Sequence, residues 1–334
     1  MKYRRLGTSN LQVSTLCLGT MMFGKQTPDA EAARIVASAK DHGINFIDTA
    51  DVYNEGRSEI VVGQLLAGQR DQWVLASKLG NTRSPGVNQS HYSRKWMLLQ
   101  TDAILARLKT DYLDILYLHR DFDGENLEEA VRALGDLIRA GKIRSFGLSN
   151  FRGWRIAEVV HLCRQLNVPQ PVVCQPCYNL LNRSPEVEIL PACGHYGLGV
   201  VPYSPLARGV LTGKYPPGQP PLEGTRAGSG DKRIMETEFR EESLVIAQKI
   251  KARCEAKGWA PGHFAAAWVL ANPLVSSVIV GPRTLEHLED VYAATELVLD
   301  QGDEAFINAL VVPGHASSPG YNDPAYPFYG RPIA

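Results

Sequence analysis

Apolar residues in this chain gather in short runs, each closed by a polar residue, and the stretches between the runs carry helical period. Tyr3 to Val13 alternates around Gly7-Thr8-Ser9-Asn10, which predicts a hairpin before the main rhythm begins. The run Leu16–Gly19 is followed by a predicted helix with Thr27 as N-cap, Pro28 at its first position, Asp29 and Glu31 in its first turn and Gly43 as its stop. Asn45–Asp48 reads as the next strand. The unit then recurs: a helix from about Ser58 to Ala67, strand Trp73–Lys78, a helix from about Arg94 to Lys109, and strand Leu113–His119. Leu127, Val131, Leu134 and Ile138 share one helical face, with Asn126 and Glu129 spaced as a capping box and Gly141 at the end. Strand Ile143–Ser149, a helix over Ile156–Gln165, strand Val172–Gln175, a helix opened by Ser184-Pro185-Glu186, and strand Gly199–Pro202 complete seven repeats. A Pro/Gly-rich loop from about Leu206 to Lys232, a charged helix from about Glu238 to Lys257 and a short apolar one around Ala265–Leu270 separate these from the eighth run, Val278–Val280.

Strands alternating with helices, without adjacent antiparallel runs, predict a parallel sheet covered by helices, and eight strands close a barrel. The expected fold is a (β/α)8 TIM barrel forming one domain over residues 1–334, with an N-terminal hairpin, a long loop after the seventh strand and an irregular C-terminal extension from Val311.

Charge adds little. Lys plus Arg and Asp plus Glu both number 35, so nothing attracts a polyanion and a nucleic-acid partner is set aside. The basic start MKYRRLGTSN lacks a following apolar run, and the uncharged segment 189–207 is broken by prolines and glycines, so neither a leader nor a membrane span is expected. The cysteines are scattered. Cys174 and Cys177 form a lone CxxC without a second pair or a histidine at zinc spacing, and all six read as reduced thiols of a cytoplasmic chain with no metal site.

The predicted strands end on Asp48, Lys78, His119, Ser149 with Asn150, Gln175, Tyr203 and Gly281, with Tyr53 a few residues past the second. In a barrel these meet near the axis at the carboxyl end. Each alone has an ordinary structural reading. A carboxylate, an amine, an imidazole and a phenol delivered to one rim are instead a set for proton transfer and charge stabilisation. No GxSxG, P-loop or HExxH is present, so hydrolase and kinase chemistry lack their parts, and no GxGxxG follows a strand.

On DTADVYNEGRSE, on Lys78 and His119 closing their strands, and on GLSNF, YSPLARGVLTGKY and GPRTLEHLED, the chain resembles the aldo-keto reductases over essentially the whole barrel. The C-terminal segment looks more like the bacterial and potassium-channel β-subunit-like branch. The resemblance implies a NADPH-dependent oxidoreductase that reduces aldehydes or ketones. Asp48, Tyr53, Lys78 and His119 then stand at the catalytic tetrad: Tyr53 gives the proton, Lys78 lowers its pKa, Asp48 holds Lys78, and His119 orients the carbonyl or shares in proton transfer. Ser149, Asn150 and Gln175 would hold the nicotinamide carboxamide, with Tyr203 stacked on its ring. Ser204, Leu206, Arg208, Gly209 and Lys214 would face the pyrophosphate, and Gly281, Arg283 and His287 the adenosine phosphate at a helix start. His287 and Val291 depart from the family's usual residues there. Met22, Phe23, Tyr92 and Arg120, with Trp96, Tyr321, Tyr326 and Phe328, would line an apolar, partly aromatic mouth for a small carbonyl substrate. The branch also implies an alternative, a NADPH-binding sensor or scaffold with slow turnover that acts through a protein partner.

Overall fold

A computed structural model describes residues 1–81 and 86–327. Strands β1 (Tyr3–Arg5) and β2 (Gln12–Ser14) pair antiparallel as the expected hairpin. The barrel then runs β3 (Leu16–Gly19), α1 (Asp29–Asp41), β4 (Phe46–Asp48), α2 (Arg57–Leu65), β5 (Val74–Leu79), α3 (Arg94–Leu108), β6 (Leu113–Leu118), α4 (Leu127–Arg139), β7 (Ile143–Ser149), α5 (Gly153–Gln165), β8 (Val173–Gln175), α6 (Ile189–Tyr196) and β9 (Gly199–Val200). After the long connection come α7 (Lys232–Thr237), α8 (Glu241–Ala256), α9 (Pro261–Ala271), β10 (Val278–Val280), α10 (Leu285–Tyr292) and α11 (Gln301–Leu310). Eight strands hydrogen-bond in parallel in the order β10-β3-β4-β5-β6-β7-β8-β9. The seam closes through Ser276 N–H to the Val200 carbonyl at 2.8 Å and Ile279 N–H to the Pro202 carbonyl at 3.0 Å, giving a (β/α)8 barrel.

Alternation along each strand sorts the apolar residues into two layers. Leu16, Leu18, Ile47, Leu75, Leu116 and Leu148 point outward against the helices. Cys17, Phe46, Ala76, Ile115, Tyr117 and Val173 fill the interior. Leu6 and Val13 of the hairpin join that inner cluster, which places the hairpin as a plug at the amino end of the barrel. Gly7 has φ 57 and lies so close to the Gly199 amide and Gly197 carbonyl that a Cβ would clash, so the plug needs glycine there. With that end sealed, the carboxyl rim is the open one.

Several local expectations shift. Helix α1 begins after Pro28, and the buried Thr27 hydroxyl donates to the Arg283 carbonyl at 3.0 Å, so Thr27 joins two rim loops and is not a cap. Asn126 caps α4, but Glu129 accepts from the Arg94 amide at 2.7 Å and so caps the neighbouring α3, leaving the box half made. The charged helix is α8, which starts at Glu241 after the extended Arg240, and the short α7 before it, capped by Asp231, is an element beyond those expected. Helix α11, with a reciprocal Asp300/Asp303 capping box, was not anticipated. From Val311 to Pro327 the tail has no helix or strand, as expected.

Candidate active site

The strand ends assemble as the register requires. Asp48 closes β4, Lys78 is the penultimate residue of β5, His119 follows β6, Ser149 closes β7 and Gln175 closes β8. Tyr53 reaches the same centre from the loop after β4, where Asn54 (φ 51) and Glu55 (φ 58) occupy the left-handed region. Such backbone persists only where its surroundings enforce it. Here the Asn54 amide donates to the Met21 and Phe23 carbonyls at 3.0 and 2.8 Å.

Lys78 is fully buried and pairs with Asp48 Oδ1. Its Nζ also donates to the Thr49 carbonyl at 2.7 Å and contacts the Tyr53 hydroxyl at 3.3 Å. Gln175 Nε2 donates to the other Asp48 oxygen at 2.9 Å, so the carboxylate is held from both sides. Burial opposes the Lys78 charge, but Asp48 and Tyr53 outweigh it and raise its pKa. Tyr53 departs from the sequence expectation: burial pushes its pKa above the usual 10, with the Lys78 charge pulling down and Asp48 pushing up. Depth of burial thus outweighs the adjacent cation. Burial, reinforced by Lys78, drives the His119 pKa far below its ordinary value, so the imidazole is neutral. Its ring lies edge-on to Tyr53 with centroids 6.1 Å apart, and its buried Nδ1 has no protein partner.

A second chain of bonds spreads along the rim. Tyr203 Oη donates to Asn150 Oδ1 at 2.8 Å, Asn150 Nδ2 donates to the His119 carbonyl at 3.1 Å and to Ser149 Oγ at 3.0 Å, and Ser149 Oγ donates to the Gln175 carbonyl at 3.0 Å. These four residues are brought together with the tetrad.

The proposed phosphate end is built differently. Lys214 Nζ lies 3.2 Å from where a Cβ on Gly209 (φ 96) would sit, so the glycine admits the ammonium. Burial and the charges of Arg283 and Lys214 depress the His287 pKa, which places three basic side chains around one spot at the start of α10. Thr284 caps that helix by accepting from the His287 amide at 3.4 Å, and Gly281 lies exposed one residue past β10. Two expectations fare less well. Arg208 donates to Glu238 at 2.9 Å in a nearly buried pair, so its charge is already matched. The amides of Ala207, Gly209, Leu211 and Gly213 are bonded within the loop, two of them to the Leu206 carbonyl and Ala207's to that of Ser204, and are not turned to a ligand.

The substrate candidates divide. Met22 and Arg120 are partly exposed, and Arg120 donates to the Ala325 carbonyl at 2.7 Å with the Tyr326 ring 5.3 Å away. Phe23 is fully buried in the outer core, and Trp96 is also buried. Tyr92 is buried too, its hydroxyl donating to the Arg120 carbonyl at 2.5 Å and accepting from the Arg120 amide at 2.9 Å. These three are packed into the protein interior. Phe328 lies outside the described residues. A cavity of about 440 Å³ is lined in part by Asn150, Cys177, Tyr203, Arg240, Tyr321 and Tyr326. Of these, Cys177 and Arg240 were not expected, and no sequence pattern marks them, because they come from a rim loop and the long connection.

All six cysteines are free, and no helix among the described residues is long and apolar enough to cross a membrane. The model of the Aldo/keto reductase family matches residues 15–311. The chain is 35% identical over 312 residues to an oxidoreductase of Bacillus subtilis, YrpG, itself named as uncharacterized, covering 90% of this chain and 93% of that one. It is 36% identical over 303 residues to a probable voltage-gated potassium channel subunit beta of Arabidopsis thaliana, covering 89% and 92%. A putative voltage-gated potassium channel subunit beta of Schizosaccharomyces pombe is 34% identical over 308 residues, covering 89% and 88%.

Proposed function

The chain belongs to the aldo/keto reductase family, and on that footing we propose that it uses NADPH to reduce aldehydes or ketones to alcohols, with Tyr53 as the proton donor. The observation that carries this reading is the Tyr53 hydroxyl, 3.3 Å from a buried Lys78 ammonium that Asp48 holds in place. The residues present suit a nicotinamide cofactor of the kind this family generally uses: a polar Ser149–Asn150–Gln175 edge, the Tyr203 ring beside it, and the basic cluster of Lys214, Arg283 and His287 for a phosphate. When bound, that cofactor supplies the hydride.

The chain's own residues do the rest. A carbonyl oxygen near Tyr53 and His119 gains negative charge as it is reduced. The raised Tyr53 pKa keeps the phenol protonated at neutral pH, so its proton is available, and the Lys78 charge stabilises the phenolate left behind. Neutral His119 fits a hydrogen-bond donor that orients the oxygen better than it fits a charged acid. Free cysteines suit a reducing, cytoplasmic setting.

Tyr53→Phe tests this: NADPH-linked reduction of an aldehyde panel should fall by about three orders of magnitude, with NADPH affinity within about threefold. Retention of most activity would remove Tyr53 as donor. A second reading follows from relatives named as potassium channel subunits: a NADPH-binding partner protein with slow turnover. It predicts tight NADPH binding without multiple turnovers on any carbonyl.

A further inference from the structure

Behind the tetrad lies a second buried cluster that the proposed chemistry does not use. Asp51 and Glu59 follow Asp48 in the same loop and the start of α2, and all three carboxyls are buried. Facing them are two cations, the fully buried Lys78 and Arg107 of α3, which keeps a quarter of its side chain exposed. Arg107 Nε donates to Glu59 Oε2 at 2.6 Å, and Ser77 Oγ donates to Glu59 Oε1 at 2.5 Å. The Arg107 side chain also packs on Gly56, where a Cβ would lie 2.8 Å from its Cδ. Gln100 Nε2 of α3 donates to Asp51 Oδ2 at 2.8 Å, and the Asp51 amide donates to the Lys78 carbonyl at 3.1 Å. Asp51 Oδ1 is buried with no hydrogen-bond partner.

Among the described residues three buried carboxyls face two cations, and a buried carboxyl without a counterion of its own holds its proton to higher pH than a solvated one. Asp48 is committed to Lys78 and Glu59 to Arg107. Oδ2 of Asp51 already accepts from Gln100, so the geometry has room for the proton on Oδ1.

We propose that Asp51 is a positioning residue that sets the ionisation of Tyr53: with its carboxyl neutral, the phenol gives up its proton more readily, and an ionised Asp51 two residues away opposes that step. The inference rests on the reading of Tyr53 as proton donor. The charged and titratable groups around Asp51 are Arg107, Lys78, Asp48, Glu59, Tyr53 and Tyr92, with Gln100 the polar contact from α3. Burial raises the Asp51 pKa to about 6, against the pull of Gln100, Arg107, the Val52 amide and Lys78. Burial likewise raises Glu59 to about 7. Asp51 in turn raises Tyr53, and because the two are linked, the effect is reciprocal.

Asp51→Asn keeps the shape and the Gln100 contact while fixing the charge at zero. Two readouts apply: the pH profile of alcohol oxidation with NADP+, which needs the phenolate, and ultraviolet titration of the Tyr53 phenol, isolated by subtracting Tyr53→Phe. Both limbs should move to lower pH by about 0.5–1 pH unit in Asp51→Asn. Gln100→Leu, which leaves the Asp51 charge in place where the phenol titrates, should keep both limbs close to their wild-type positions. A residue that only braces the loop would lower thermal stability and leave both profiles in place, and that result would overturn the proposal. If the wild type turns over no carbonyl or alcohol while the phenol titration still moves, the proposed reductase activity falls and the charge-setting role of Asp51 stands.

Discussion

The floor of the rim and the cluster proposed to hold a phosphate are opposite solutions to placing charge. At the floor, Lys78, Asp48, Gln175, Ser149, Asn150 and Tyr203 are partnered to one another, and Lys78 and Asp48 are almost wholly removed from water. At the proposed phosphate end, Lys214 and Arg283 stand beside His287, whose pKa falls through burial first and their charges second, with Glu286 and Asp290 pulling the other way. A buried cation without a carboxylate would cost several kcal/mol, so the floor has to be complete in the folded protein. Cations at a solvated helix start bear mutual repulsion cheaply, and an arriving anion relieves it. The floor should therefore answer to mutation through stability as well as rate, and the phosphate end through binding alone.

Lys78→Met presses hardest on this contrast. It leaves Asp48 buried with only the Gln175 amide, and breaking such a pair from one side costs about 3–5 kcal/mol. Denaturant melts of the variant should show that loss at neutral pH. A loss below about 1 kcal/mol would mean that water reaches the pair, and the division between floor and phosphate end would collapse.

Arg283→Ala probes the other side. Stability should stay within about 0.5 kcal/mol, because Arg283 is only partly buried, while NADPH binding weakens by about 1.5–3 kcal/mol and NADH binding changes little. Calorimetric titration of both cofactors reads the difference. Equal losses for the two would break the assignment of this cluster to a 2′-phosphate.

The same contrast explains what the sequence disclosed. Strand ends were legible because a short apolar run closed by a polar residue is a local pattern, and Asp48, Lys78, His119, Ser149 and Gln175 stand where that pattern put them. Depth was not legible. Nothing local says that Phe23 and Tyr92 turn inward, or that burial would outweigh Lys78 and raise the Tyr53 pKa. Partners distant in sequence were equally hidden. Glu129 matches a box for its own helix yet caps α3, and Arg208 resembles a phosphate ligand until α7 brings Glu238 beside it. The Asp300/Asp303 box of α11 is local and could have been found from its spacing.

The tail gives the smallest effect and tests where the rigid part of the rim stops. Arg233 of α7 grips Asp323 through two nitrogens at 2.7 and 2.5 Å, with roughly a quarter of each side chain exposed. The grip is redundant: Arg240 bonds Ser317 and Ser318 and stacks 3.7 Å from the Tyr321 ring, and Arg120 holds the Ala325 carbonyl. Asp323 also keeps the Ala325 amide at 2.9 Å, so losing Arg233 strands no buried charge. Arg233→Ala should therefore cost no more than about 1 kcal/mol of global stability. It should nonetheless raise the rate of proteolytic nicking between Ser317 and Tyr326 several-fold, because a segment without helix or strand opens locally once one clip is gone. A stability loss approaching that of Lys78→Met would place the tail with the floor, as part of what must be complete before any ligand arrives.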